Sequence, residues 1–159
     1  MGKKKIKKTL VDQILDKAGI VHDSLAINPL EGKLPADVAA DQIYKTLALL
    51  GDKTGPIIGI VPITEHLSEK ALAKVSGNKK VTMIPQKDLA KTTGYVHGAN
   101  NPVGIHHKHS FPIYIDQSAL ELGQMIVSAG EIGRSIRIDS QILADFVGAR
   151  FADLIARSE

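Results

Sequence analysis

Turn-forming residues interrupt this chain about every ten positions, and that spacing leaves room only for short strands and short helices. No uncharged apolar stretch approaches the ~20 residues that a membrane-spanning helix needs. No repeat, low-complexity segment or linker divides the sequence. With 159 residues, 43% of them apolar, the chain can bury one core but not two. The expected organisation is a flexible basic tail over residues 1–8 followed by a single domain over 9–159.

Local signals give the order of elements. Thr9 can cap a helix with Leu10, Ile14, Leu15 and Ala18 on one face, and Gly19 sits at its C-terminal stop. Residues 20–27 alternate loosely as a strand. Asn28-Pro29-Leu30-Glu31-Gly32 reads as a loop leading to Pro35, which opens a second helix over about 35–44. Leu47-Ala48-Leu49-Leu50 and the run 57–61 flank Gly51-Asp52-Lys53-Thr54-Gly55, a strong hairpin signal. A short helix capped by Thr64 or Ser68 runs to Val75 and closes at Gly77. A strand over 81–84 follows, then a helix from Pro85 that stops at Gly94. The stretch 95–104 reads as a loop, residues 112–115, 124–127 and 135–138 as strands, and a last helix runs from Ser140 to a stop at Gly148. Short turns, not crossover helices, separate most strands. The expected class is therefore α+β, with a mixed, largely antiparallel sheet flanked by helices and curled toward a barrel.

Cysteine is absent, which removes disulfides, thiolate metal sites and a cysteine nucleophile of the protein's own. The basic start resembles the first part of a secretion signal, but Asp12, Gln13, Asp16 and Lys17 stand where an apolar stretch would have to follow. A cytoplasmic protein with no membrane contact is expected. A net charge of +3 suits a polyanionic partner. The phosphate-binding loop, the nucleophile elbow, the His-Glu-x-x-His zinc motif and the dinucleotide glycine fingerprint are all missing.

Three features remain as candidate chemistry. Lys45 and Thr46 stand between the expected helix end and an apolar strand. There a lysine serves either a phosphate or ribose as a point charge, or the helix dipole. Two glycine-bearing loops, 94–104 and 127–133, can expose backbone N–H groups to an oxyanion or phosphate, or can be ordinary tight turns. His106, His107 and His109 crowd four residues without a carboxylate or cysteine to complete a metal set. They read as a solvated edge or a pH-sensitive basic patch, and no metal or cofactor is assigned.

Lys45-Thr46-Leu47, Lys79-Lys80-Val81, Thr93-Gly94-Tyr95-Val96 with Gly98, Pro102-Val103-Gly104 and Val127-Ser128-Ala129-Gly130 occur in the order and approximate spacing of the YbaK/EbsC family. On these motifs the chain resembles that family from about Leu15 to the C-terminus. The resemblance implies a barrel-like sheet flanked by helices and an activity that hydrolyses mischarged tRNA, typified by removal of cysteine from tRNA for proline. It implies tRNA as partner, with prolyl-tRNA synthetase as a possible second one. A non-catalytic tRNA- or synthetase-binding module of the same fold is the alternative.

By position, the resemblance places the family's essential lysine at Lys45 and a loop glycine near the scissile ester at Gly98. Thr46 and Ser128, with Gly130 beside them, fall on substrate-binding positions. No side chain attacks in the mechanism so implied: backbone N–H groups about Gly98 hold the ester carbonyl and Lys45 fixes the terminal adenosine or its phosphate. The chain departs from the family's pattern after Ser128, where Ala129-Gly130-Glu131-Ile132 replaces two glycines and basic residues. It also lacks a tyrosine near the first strand and is histidine-rich after Gly104. These departures bear on which amino acid is removed.

Overall fold

The computed structural model describes residues 7–27 and 34–157. Most of the basic tail and the loop expected at 28–32 lie outside the described residues. Six α-helices and eight strands occur among those described: α1 (Leu10–Lys17), β1 (Asp23–Leu25), β2 (Tyr44–Gly51), β3 (Gly55–Pro62), α2 (Glu69–Ser76), β4 (Val81–Met83), α3 (Gln86–Thr93), α4 (Pro102–Lys108), β5 (Ile113–Asp116), α5 (Ser118–Leu122), β6 (Gln124–Ser128), β7 (Ser135–Asp139), α6 (Ser140–Val147) and β8 (Arg150–Ala152).

The strands form a five-stranded sheet in the order β4-β2-β3-β5-β8 and a three-stranded sheet in the order β1-β7-β6. Four pairings are antiparallel, while β3–β5 and β5–β8 are parallel. The class is therefore α+β with mixed, largely antiparallel sheets, as expected. Among the described residues the two sheets are not closed into one barrel and meet through a bridge between Ile43 and Ile126.

Alternation along β3 explains the layering, because successive side chains of a strand leave opposite faces. Ile58 and Ile60 enter the main core with Val11 and Leu15 of α1, Val103 and Ile105 of α4, and Met125 and Val127 of β6. Ile57 and Val61 take the other face and pack with Leu72 and Ala73 of α2. Each such aliphatic side chain contributes about 1.5–3 kcal/mol when fully buried. Both faces of the sheet are thus covered, and the site has to open elsewhere.

Several helix limits follow the sequence signals. Thr9 and Asp12 form a reciprocal capping box on α1. Ser68 caps α2, and Gly77, Gly94 and Gly148 end α2, α3 and α6 in left-handed conformations. The β2–β3 hairpin forms as expected and is longer than the apolar runs. Its turn is tied to the start of β4: the Lys79 and Lys80 N–H groups donate to Asp52, and those of Lys53 and Thr54 donate to Asn78.

Three expectations are corrected. The second helix over 35–44 does not form; only a 3-10 turn at Ala40–Gln42 is present, and Tyr44 already pairs with Pro62 in β2. Strand pairing there outweighs helix propensity, since Ile43 and Val38 gain burial in a separate apolar cluster with Ile126. Residues 102–108 form α4 instead of continuing a loop, with Asn101 accepting from the Gly104 N–H and Pro102 in the first turn. The strand over 20–27 shortens to β1. Helix α5 and strand β8 are additional to the elements expected from the sequence.

Candidate active site

Strand β4 pairs with β2 only along Leu49–Gly51. The first half of β2 is therefore uncovered by β4 on that side, and a cleft of about 560 Å³ opens beside it. Lys45 and Thr46 line this cleft together with Gly98 and Ser128. Four sequence-expected residues, 83 positions apart at the extremes of Lys45 and Ser128, thus converge on one cavity. The fifth, Gly130, does not line it. Its added Cβ would meet Asn101, Tyr95 and Val11 at 3.3–3.4 Å, so Gly130 lets a turn pack behind the wall.

Lys45 sits in a strand, not at a helix end, which removes the helix-dipole reading. Its partner across the hairpin is Val61, and Thr46 faces Ile60. Burial pushes the Lys45 ammonium below its ordinary range, with Glu65 acting in the opposite sense. Thr46 Oγ1 is buried without a hydrogen-bond partner. Next to them, burial raises the Tyr44 hydroxyl, which shares a 2.7 Å hydrogen bond with Ser118.

The facing wall comes from two turns. Gly98 adopts φ 89°, a conformation that favours glycine, within a turn closed by the Ala99 N–H donating to the Val96 carbonyl. The Asn100 side chain donates from Nδ2 to the same Val96 carbonyl. Ser128 ends β6, and its Oγ accepts the Gly130 N–H at 3.1 Å. The β6–β7 register sets Ser128 opposite Ser135, and this hairpin brings Arg134 into the cleft as well.

The remainder of the lining is largely aliphatic, including Ile27, Ile43, Ile63, Ile84 and Leu89. No Asp or Glu lines the cleft among the described residues, whereas Lys45 and Arg134 both do. The volume lies within the ~300–1,000 Å³ common for small-ligand sites. Apolar walls and two cations suit a ligand that joins a flat base or small side chain to a polar, partly anionic group.

His97, Asn100 and Arg134 line the cleft without having been singled out. His97 and Asn100 flank Gly98, so the loop itself was the signal. Nothing in the sequence pointed to Arg134, because only the β6–β7 hairpin brings it to the cleft. The three clustered histidines go elsewhere: His106 tilts against Phe146 with ring centroids 6.3 Å apart, and His109 stacks on Phe111 at 4.4 Å. Among the described residues no three His, Cys, Asp or Glu side chains come together as a metal site. No helix among them is long and apolar enough to cross a membrane.

Comparison with known proteins gives concordant findings. Residues 31–146 match the pattern of the aminoacyl-tRNA editing domain. Over 165 aligned residues, 99% of each chain, the sequence is 34% identical to the "Putative Cys-tRNA(Pro)/Cys-tRNA(Cys) deacylase EbsC" of Enterococcus faecalis. A crystal structure of "a putative trans-editing enzyme for prolyl tRNA synthetase" superposes with a TM-score of 0.78 at 22% identity, over 92% of this chain and 95% of that one. Another, of a hypothetical protein, gives 0.81 at 19% identity over 92% and 99%. At those identities the two structures speak to the fold alone.

Proposed function

This chain belongs to the aminoacyl-tRNA editing domain family, and from that premise we propose that it is a trans-editing deacylase that hydrolyses the ester of mischarged tRNA, with cysteinyl-tRNA for proline as its foremost substrate. The observation that carries the reading is the convergence of Lys45, Thr46, Gly98 and Ser128 on one cleft of ligand size. Uncharged tRNA is the product partner, and prolyl-tRNA synthetase is the protein partner that the reading implies.

The chemistry follows from what the cleft offers. The aminoacyl ester enters with its carbonyl toward the turn at Gly98, where main-chain N–H groups stabilise the negative charge that develops on the carbonyl oxygen. Lys45 holds the terminal nucleotide through its ribose or phosphate, and Thr46 and Ser128 bound the pocket for the amino-acid side chain. With a cysteinyl substrate, the substrate's own thiolate attacks its ester carbon. The C–O bond breaks, the terminal ribose oxygen leaves and takes up a proton, and water then opens the cyclic thioester to free cysteine. An alanyl substrate has no such nucleophile and needs a positioned water.

A second sieve of this kind has a physical motive. A synthetase pocket separates side chains of similar size by only about 1–3 kcal/mol, which leaves an error rate that later hydrolysis corrects. The test is to measure amino-acid release from cysteinyl- and alanyl-tRNA for proline at equal enzyme concentration. Faster release of cysteine supports the reading. Binding of both without release would identify a tRNA-binding module of the same fold.

A further inference from the structure

Asn100 is 7% exposed and lines the cleft two residues beyond Gly98. Its Nδ2 donates to the Val96 carbonyl at 3.2 Å, which fixes the amide orientation, since the reverse would set two oxygens against each other. Its Oδ1 is therefore the group left over, and it is buried with no hydrogen-bond partner. A buried acceptor without a donor is destabilising, and such groups cluster where a ligand later supplies the missing partner.

Every aminoacyl ester carries an α-amino group next to the reacting carbonyl, and this group donates hydrogen bonds whether or not it is protonated. The cleft offers it no carboxylate, because neither Asp nor Glu lines the cavity among the described residues. Lys45 and Arg134 are donors only, and among the lining side chains that can accept, only Asn100 and Thr46 hold an acceptor that is buried and unpartnered. Thr46 Oγ1 is also unpartnered, but it stands on β2, whereas Asn100 belongs to the turn at which the ester carbonyl is held.

We propose that Asn100 is a specificity residue that accepts the α-amino group of the substrate through Oδ1, so that the cleft favours esters that carry this amine over those that lack it. Because Oδ1 is buried in the free protein, the contact requires the turn around Gly98 to yield locally to the donor. A neutral amide acceptor recognises the amine in both protonation states. It also adds no negative charge beside the developing oxyanion, which a carboxylate would do. This inference rests on the deacylase reading, and its test separates the two.

The experiment compares hydrolysis of cysteinyl-tRNA for proline and its desamino analogue, the 3-mercaptopropionyl ester, by wild type, Asn100→Leu and Asn100→Asp. Wild type should favour the free amine at least about tenfold in kcat/KM, within the range expected for one buried polar group left unpaired. Asn100→Leu should lose activity on the free amine and bring the ratio near one. Asn100→Asp, which keeps an acceptor, should retain the preference. If wild type hydrolyses both substrates equally, or Asn100→Leu slows both by the same factor, the amino-group role is overturned while the deacylase activity stands. No hydrolysis of any aminoacyl-tRNA by wild type would overturn both.

Discussion

The carboxylate of Asp12 lies 3.7 Å from Nη2 of Arg134, which joins the N-terminal cap of α1 to a side chain that lines the cleft. Asp12 is fully buried and accepts from the Thr9 N–H at 2.9 Å and the Ser24 hydroxyl at 2.6 Å, with His22 Nε2 at 3.0 Å. Arg134 in turn donates to the Leu25 and Lys7 carbonyls. One carboxylate thereby fixes α1, β1 and the cleft-side turn between β6 and β7.

Burial alone would raise the Asp12 carboxyl, but the hydrogen bonds from Ser24, Thr9 and His22 outweigh it and hold the group below the usual carboxylate range. Its contribution to stability is complete above the unfolded-state value and is lost as pH falls through the depressed folded value. Asp12→Asn leaves Arg134 without its counter-charge. The variant should lose about 3 kcal/mol and unfold roughly 6–12 °C lower at pH 7. Its loss relative to wild type should shrink as the pH is taken into the acid range below 4. Thermal melts from pH 2 to 8 check this, and an unchanged Tm at pH 7 would contradict the network.

Burial of the Lys45 ammonium works against stability. Because burial lowers its folded value, the unfolded chain binds more protons between that value and the ordinary lysine range, so stability should rise with pH across this window. Lys45→Met should raise Tm by ~1–3 °C at pH 7 and flatten the alkaline rise. Thermal melts at pH 7 and pH 10 measure both effects. A less stable Lys45→Met would contradict the assigned burial cost.

Gly104 in α4 has a packing role. A Cβ there would overlap the hydroxyl and ring of Tyr95. Gly104→Ala should cost about 1–3 kcal/mol through overpacking. Trimming the ring in the Gly104→Ala, Tyr95→Leu double variant should recover part of the loss, a coupling that a double-mutant cycle on urea midpoints reads directly. Strict additivity would show that the two residues do not meet.

The histidines of the 105–109 segment should be dispensable for hydrolysis. His106 and His109 pack on different aromatic rings, away from the cleft. Replacement of His106, His107 and His109 by Gln should leave kcat within about twofold, and exhaustive chelation should leave the rate unchanged. A metal-restored rate after chelation would reopen a role for the cluster.

Much of this architecture was legible because local chemistry and tertiary demand agreed. Thr9, Ser68 and Asp52 act where their side chains naturally satisfy loose N–H groups, and the glycines at 77, 94 and 148 end helices as their conformational freedom allows. The failures share a cause as well. Residues 35–44 carry weak helix signals that lose to pairing of Tyr44 with Pro62, and α4 is built by the Asn101 cap and the Gly104–Tyr95 contact, which no periodicity announces. For the site, motif resemblance marked Lys45, Thr46, Gly98 and Ser128, which the fold gathers into one cleft. Arg134 could not be found that way, because its position depends on a hairpin register and a carboxylate 122 residues earlier in the sequence.

On the deacylase reading, hydrolysis of the ester in the cleft depends on Lys45 holding the terminal nucleotide. The most direct test is the single-turnover rate of cysteine release from cysteinyl-tRNA for proline by wild type and by Lys45→Ala, with circular dichroism confirming that the variant is folded. Wild type should release cysteine, and the variant should be slower by on the order of 100-fold or more, the scale for removing a positioned polar contact at a reacting site. A folded Lys45→Ala that releases cysteine at the wild-type rate would contradict that role.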